Sequence, residues 1–208
     1  MANVLFIKSN DRPSDAAISN QMYDTFLASY KEVNPNDIIT ELDLYSLDLP
    51  YYGNSALTGL YKESKGIDPT PEEKTAASNV QFYLDQFLSS DKIVFAFPMW
   101  NFTVPAPLIT YISYLTQPGK TFKYTAEGVV GLAGDKKVAL LTARGGDYSL
   151  EPMEPMEMAL RYMKTILGFW GIQPSEVVVI EGHAQYGDRA SEIIESGLKE
   201  TAAAGVNF

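Results

Sequence analysis

Apolar residues fall in two rhythms along this chain. The first is short and nearly unbroken: Val4–Ile7, Ile38–Leu42, Ile93–Phe97, Val138–Thr142 and Val177–Ile180. Runs of that length with little polar alternation are what central parallel strands require, because both faces of such strands are buried. The second rhythm repeats every three to four residues and marks one face of a helix. It runs through Ile18, Met22, Phe26, Leu27 and Tyr30, then through Val80, Tyr83, Leu84, Phe87 and Leu88 ahead of the third strand. It returns in Met156, Leu160, Met163, Leu167 and Trp170 after the fourth strand, and in Ile193, Ile194 and Leu198 near the end. These stripes read as core packing, with the methionines filling irregular gaps.

Strands alternating with helices predict an α/β three-layer sandwich, in which helices cover both faces of a five-stranded parallel sheet. Right-handed crossovers leave two common windings, and five strands favour the order 2-1-3-4-5 over the longer Rossmann order. Residues 1–208 are expected to form one domain, a common size for one. Two stretches break the alternation, Pro50–Pro71 and Gln117–Lys137, and both read as long surface excursions.

Composition then narrows the chemistry. With 46% hydrophobic residues the chain is too apolar to be disordered. Sixteen basic side chains against 26 acidic ones leave a net charge of −10 and a pI near 4.6. Such a balance argues against a nucleic-acid partner and against an anionic membrane surface. Without cysteine there is no disulfide scaffold, iron–sulfur cluster or thiol nucleophile. One histidine leaves no histidine-rich metal site, so no metal is expected. The first eight residues carry an apolar run of four without a basic leader or cleavage site, and no uninterrupted apolar stretch approaches the length of a membrane span. Neither a signal peptide nor a transmembrane helix is expected, and the location implied is the cytoplasm.

In an open sheet of this order, ligands bind beyond the carboxyl ends of the strands where the winding reverses, between strands one and three. Three loops meet there. In Lys8–Ser19, the hydroxyls of Ser9 and Ser19 and the amides of Ala17, Ile18 and Ser19 form either an anion site at a helix N-terminus or, with Ser14 or Asp15, an ordinary cap. The loop has neither the GxxxxGK phosphate loop nor GxGxxG, which disfavours a P-loop or a standard dinucleotide site. Pro98–Phe102 places Met99, Trp100, Asn101 and Phe102 directly after a core strand, as a wall for a flat conjugated ring or as a hydrophobic turn closing the sheet. In Ala143–Tyr148 the pair Gly145–Gly146 lets the backbone approach a ligand or simply makes a tight turn. No GxSxG elbow exists for a serine hydrolase.

Taken in order, Pro98–Phe102 (PMWNF), Gly119–Thr125 (GKTFKYT), Ala143–Gly146 (ARGG), Phe169–Ile172 (FWGI) and Glu181–His183 (EGH) make this chain similar to the FMN-dependent azoreductases, which are also NADH:quinone oxidoreductases of flavodoxin-like fold. The resemblance runs from the first strand to the last helix. It implies a tightly bound, non-covalent FMN whose N5 accepts hydride from NADH. A ping-pong reaction then passes two electrons to quinones, or to aromatic azo compounds that are cleaved to amines. It implies phosphate binding at Ser9, Ala17, Ile18 and Ser19, and ring contacts from Pro98, Met99, Trp100, Asn101 and Phe102. The pyrimidine edge would meet Ala143, Arg144, Gly145 and Gly146, with Tyr148 in the same loop. The Gly145 and Gly146 amides, with Arg144 nearby, would stabilise charge developing at N1 and O2. Ala17 stands where relatives often carry serine, which implies somewhat weaker FMN binding. Tyr124, Tyr162 and His183 are substrate-side candidates, His183 equally a structural hydrogen-bond partner. No side chain is an obligatory acid or base. A homodimer with active sites at the interface is implied as well. The alternative is a flavodoxin-like FMN electron carrier with no small-molecule substrate of its own, which would use one-electron chemistry.

Overall fold

The computed structural model describes residues 1–208. Five parallel strands form the sheet: β1 (Asn3–Lys8), β2 (Ile38–Asp43), β3 (Lys92–Pro98), β6 (Lys137–Arg144) and β7 (Glu176–Glu181), in the order β2-β1-β3-β6-β7. All five predicted strands are present, and their winding is the 2-1-3-4-5 expected. Alternation along the strands explains the unbroken apolar runs. Val4 and Phe6 enter one core while Leu5 and Ile7 enter the other. Only the inner strands behave this way. β2 and β7 are edges, so Ile38 is exposed and Val177 and Val179 are half-buried.

One face is covered by α1 (Ile18–Val33) and α6 (Ala190–Asn207), where Phe6, Phe26 and Tyr30 pack edge to face. The opposite face carries α3 (Pro71–Leu88), α4 (Ala106–Leu115) and α5 (Ala159–Phe169) over the larger core. Helix α3 starts at a capping box: Thr70 Oγ1 accepts from the Glu73 amide at 3.3 Å, and Glu73 Oε2 accepts from the Thr70 amide at 2.7 Å.

The departures from the sequence pattern have local causes. Pro50–Pro71 is not a bare excursion, because it contains α2 (Asn54–Ser64). That helix lies so close to α3 that a Cβ on Gly59 would stand 2.3 Å from the Glu73 carbonyl oxygen. Gln117–Lys137 holds an antiparallel hairpin of β4 (Phe122–Thr125) and β5 (Gly128–Gly131). Helix α4 is apolar nearly all round, so its pattern lacks the polar face that announces an amphipathic helix. The third stripe, from Met156 to Trp170, starts later than its spacing suggests. Pro155 sits in a short 3₁₀ turn with Met156, which is exposed, and α5 begins at Ala159.

Candidate active site

The carboxyl ends of β1, β3 and β6 open onto a cavity of about 270 Å³. All three expected loops contribute to its wall, and a fourth, after β7, adds His183 and Ala184.

The first loop is held by amide side chains. Asn10 Nδ2 donates to Ser19 Oγ at 2.9 Å, and Asn10 Oδ1 accepts from the Arg12 amide at 3.0 Å. Asn20, buried in the first turn of α1, donates through Nδ2 to the carbonyls of Arg12 at 2.6 Å and Asn10 at 3.3 Å. The chain then enters α1 through Ala17, which offers no side-chain cap. Neither Ser14 nor Asp15 serves as that cap; Ser14 Oγ instead donates to Asp24 Oδ2 at 3.0 Å. The amide of Ala17 is taken by the Ser14 carbonyl at 3.4 Å, which corrects its expected place among the free donors. Ile18 and Ser19, as the first two helical residues, have no carbonyl one turn earlier in α1, so the positive end of the helix is uncapped at the cavity. Ser9 is fully buried and does not line the cavity, and its Oγ has no hydrogen-bond partner in the chain. A sealed, unmatched hydroxyl costs about 1–3 kcal/mol, and the polar capacity that faces the cavity at this end is the pair of uncapped amides of Ile18 and Ser19.

Pro98, Met99 and Trp100 form the second wall. Met99 is fixed by its backbone N–H, which donates to the Ala143 carbonyl at 3.0 Å. Trp100 and Thr103 exchange backbone bonds of 2.9 and 3.1 Å around Asn101 and Phe102, whose φ angles are 49° and 69°. Two consecutive left-handed residues are the mark of a type I′ turn. A phenylalanine there is unusual, and each such residue carries roughly 1–3 kcal/mol of strain. The turn is over-determined: Trp100 meets Tyr45 edge-on at 6.2 Å, Phe102 meets Tyr148 at 6.3 Å, and the Phe102 carbonyl accepts from the Met158 amide at 3.0 Å. Asn101 and Phe102 lie beyond the cavity rather than in its wall.

In the third loop Ala143, Arg144 and Gly145 line the cavity, and Gly146 and Tyr148 do not. The amides of Gly145 and Gly146 donate to no group of the chain, whereas the Gly145 carbonyl accepts from Ala184 and Gln185 at 2.9 and 3.0 Å. The guanidinium of Arg144 donates a hydrogen bond to Glu181 and is ion-paired with Glu157, whose 3.2 Å approach to Nη1 is not a hydrogen bond. His183 lies in the wall with Nδ1 buried and unpartnered, and burial pushes its pKa below the usual histidine value. Within one chain Tyr124 and Tyr162 do not reach the cavity. Tyr124 is 72% exposed on β4, and Tyr162 is half-buried against the core, where burial pushes its hydroxyl pKa up.

Asn10, Arg12, Ala16 and Ala184 complete the wall without having been singled out in the sequence, and Asn20, Glu157 and Glu181 support it. Asn20 had a readable signal, an amide in the first turn of a helix beside a polar loop. A larger hollow of about 720 Å³ lies between Asp48–Ala56 and α3 and shares no lining residue with the cavity at the switch point.

The chain matches the family described as Flavodoxin-like fold over residues 2–204. It is 62% identical over all 208 residues, and over the whole of that relative, to FMN-dependent NADH:quinone oxidoreductase 2 of Bacillus cereus. Its structure superposes on an azoreductase crystal structure from Bacillus anthracis with a TM-score of 0.97 and 54% identity, each chain covered in full. An FMN-dependent NADH-azoreductase from Bacillus anthracis, solved in complex with FMN, gives a TM-score of 0.92 at 27% identity over 100% of this chain and 99% of that one.

Proposed function

The chain belongs to the flavodoxin-like family of FMN-dependent NADH:quinone oxidoreductases, and we propose that it moves two electrons from NADH, through a tightly bound non-covalent FMN, to quinones and to aromatic azo compounds, which it cleaves to amines. The observation that carries this reading is one cavity with unused backbone donors at two places, the start of α1 and the Gly145–Gly146 turn. Donors at two separate places in one cavity suit a ligand with a phosphate at one end and a polar heterocycle at the other.

The residues then divide the work. The Ile18 and Ser19 amides hold the phosphate at the positive end of α1, and the unmatched Ser9 hydroxyl lies behind them. Arg12, exposed at the rim, adds a cation where solvent screens it. Pro98, Met99 and Trp100 cover the ring and keep water from it, with Asn101 and Phe102 holding the turn that presents them. Ala143 closes the floor, and the Gly145 and Gly146 amides donate to the pyrimidine edge, where negative charge concentrates on reduction. Tyr148 buttresses Phe102. His183, neutral near pH 7, offers a hydrogen bond and no charge. The bound FMN supplies the hydride and two-electron chemistry. No side chain has to move a proton for the donor step. NADH and the acceptor use the same open face in turn, which is why the chain carries no second nucleotide motif.

The chain acts as a single domain and as a homodimer. A cavity of about 270 Å³ falls below the roughly 300–1,000 Å³ of ordinary small-molecule pockets, so one chain encloses only part of the cofactor and substrate. Exposed Tyr124 and its cross-strand neighbour Val129 supply an apolar face on the hairpin for a second copy, and Tyr124 and Tyr162 complete the substrate side across that interface. No helix is long and apolar enough to cross a membrane, and a cytoplasmic site gives the enzyme its NADH.

The test is a visible spectrum of the purified protein followed by anaerobic addition of NADH. Flavin bands that bleach directly to the two-electron reduced form, and return with a quinone, are expected. A bound flavin that NADH leaves unreduced would make the protein an electron carrier. No flavin, even after FMN is added, would overturn the reading.

A further inference from the structure

Arg144 ends β6 with a side chain only 5% exposed. Its Nε donates to Glu181 Oε2 at 2.8 Å, its Nη1 lies 3.2 Å from Glu157 Oε1, and its Nη2 is 3.4 Å from Ser149 Oγ. One cation faces two carboxylates, so the cluster carries 1 − 2 = −1 and has no positive charge to lend a neighbouring anion.

Each carboxylate in turn holds backbone. Glu181 accepts from the Tyr148 amide at 3.0 Å and from Ser149 Oγ. Glu157 accepts from the first-turn amides of α5, Leu160 at 2.8 Å and Arg161 at 3.3 Å. A single guanidinium therefore joins the end of β6, the 145–149 turn, the end of β7 and the start of α5. The fork geometry of arginine suits such a bridge, and a lysine ammonium cannot reproduce it.

We propose that Arg144 is a positioning residue that acts through Glu181 and Glu157, setting the Gly145 and Gly146 amides against the pyrimidine edge while lending that edge no positive charge; this rests on the FMN reading above. A charge role and a positioning role differ in what they do to the two redox forms of the ligand. Charge acts selectively on reduced FMN, which carries the added negative charge. Misplaced amides weaken both forms, including the oxidised form that charge leaves nearly unchanged, and the reduced form at least as much.

The experiment is isothermal titration of the cofactor-free full chain with oxidised FMN in air and with dithionite-reduced FMN under argon, for the wild type, Arg144→Lys and Glu157→Gln, with thermal melts to confirm folding. Arg144→Lys keeps the charge and loses the fork. The dissociation constant for oxidised FMN is expected to rise by about tenfold, the effect of one lost charge-assisted hydrogen bond, and that for reduced FMN by at least as much. Glu157→Gln is expected to weaken both forms in the same way, although Glu157 does not line the cavity. Wild-type affinity in Arg144→Lys, or selective tightening of reduced FMN in Glu157→Gln, would overturn the proposal and leave the cofactor reading intact. A wild type that binds neither form overturns the cofactor reading and the proposal together. If Arg144→Lys fails to fold, Glu157→Gln decides by the sign of its effect on reduced FMN.

Discussion

The two ends of the cavity are built from different materials. At the start of α1 the loop is shaped by neutral amides, Asn10 and Asn20, and faces the ligand with helix N–H groups. At the Gly145–Gly146 turn the same task, presenting free N–H groups, is done by a backbone held through a buried ion cluster of Arg144, Glu157 and Glu181. The contrast follows from where the ends sit. The first turn of a helix already carries partial positive charge and needs only to be kept uncapped. A turn that leaves the end of a strand has no helix dipole of its own, so its donors must be aimed by fixing the elements around them. Neutral hardware should be indifferent to pH, and ionic hardware should not.

Breaking the neutral end should give the largest effect. Asn20→Ala removes two hydrogen bonds and leaves the loop carbonyls of Asn10 and Arg12 without this partner. A destabilisation of about 2 kcal/mol is expected, together with a loss of FMN affinity of at least about tenfold, read by urea melts and by titration. If stability falls while affinity holds, Asn20 supports the fold and not the phosphate end.

Acid should break the other end selectively. Burial alone would raise the Glu181 carboxyl, but hydrogen bonds from Ser149 and Tyr148 and the Arg144 guanidinium outweigh it and hold the pKa below the ordinary 4.5. A depressed folded pKa stabilises above the unfolded value and loses that contribution as pH falls through the folded one. Melts and FMN titrations from pH 7 downward should therefore stay level to about pH 4.5 and then decline. Glu181→Gln should start weaker and show a shallower acid slope. Equal slopes in the two proteins would remove Glu181 from the cluster's pH response.

The smallest change sharpens the comparison by improving the uncapped end. Ala17→Ser supplies a capping hydroxyl where α1 has none. A gain of about 1 kcal/mol in stability is expected from a restored cap. A cap that also donates to phosphate should tighten FMN a few-fold. If the hydroxyl instead occupies the first-turn amides, stability will rise while affinity falls, and calorimetry separates the two.

Much of this was legible in the residues. The five strands came from unbroken apolar runs, whose cause is local: alternate residues of a central strand face two cores, and their order came from the handedness of crossovers. The three loops at the switch point were legible because glycine pairs, aromatics after a strand and hydroxyls before a helix are short-range signals. Helix α4 was hidden because it lacks a polar face, and the β4–β5 hairpin because its strands are four residues each.

What the sequence determined by itself is the α/β layering, which depends on residues adjacent in the chain, and with it the winding of the sheet and the end where chemistry sits, which follow from the handedness of crossovers once five strands are counted. What only the tertiary structure decided is how the named residues are used. The Ala17 amide is taken by a local turn, Ser9 is sealed beneath the cavity, and Tyr124 and Tyr162 stand outside the wall of a single chain. Arg144 looks like a free cation in sequence, yet its carboxylate Glu181 lies 37 residues further along the chain. Charge pairing acts through distance in space, and a one-dimensional pattern carries no record of that distance until the strands are laid side by side.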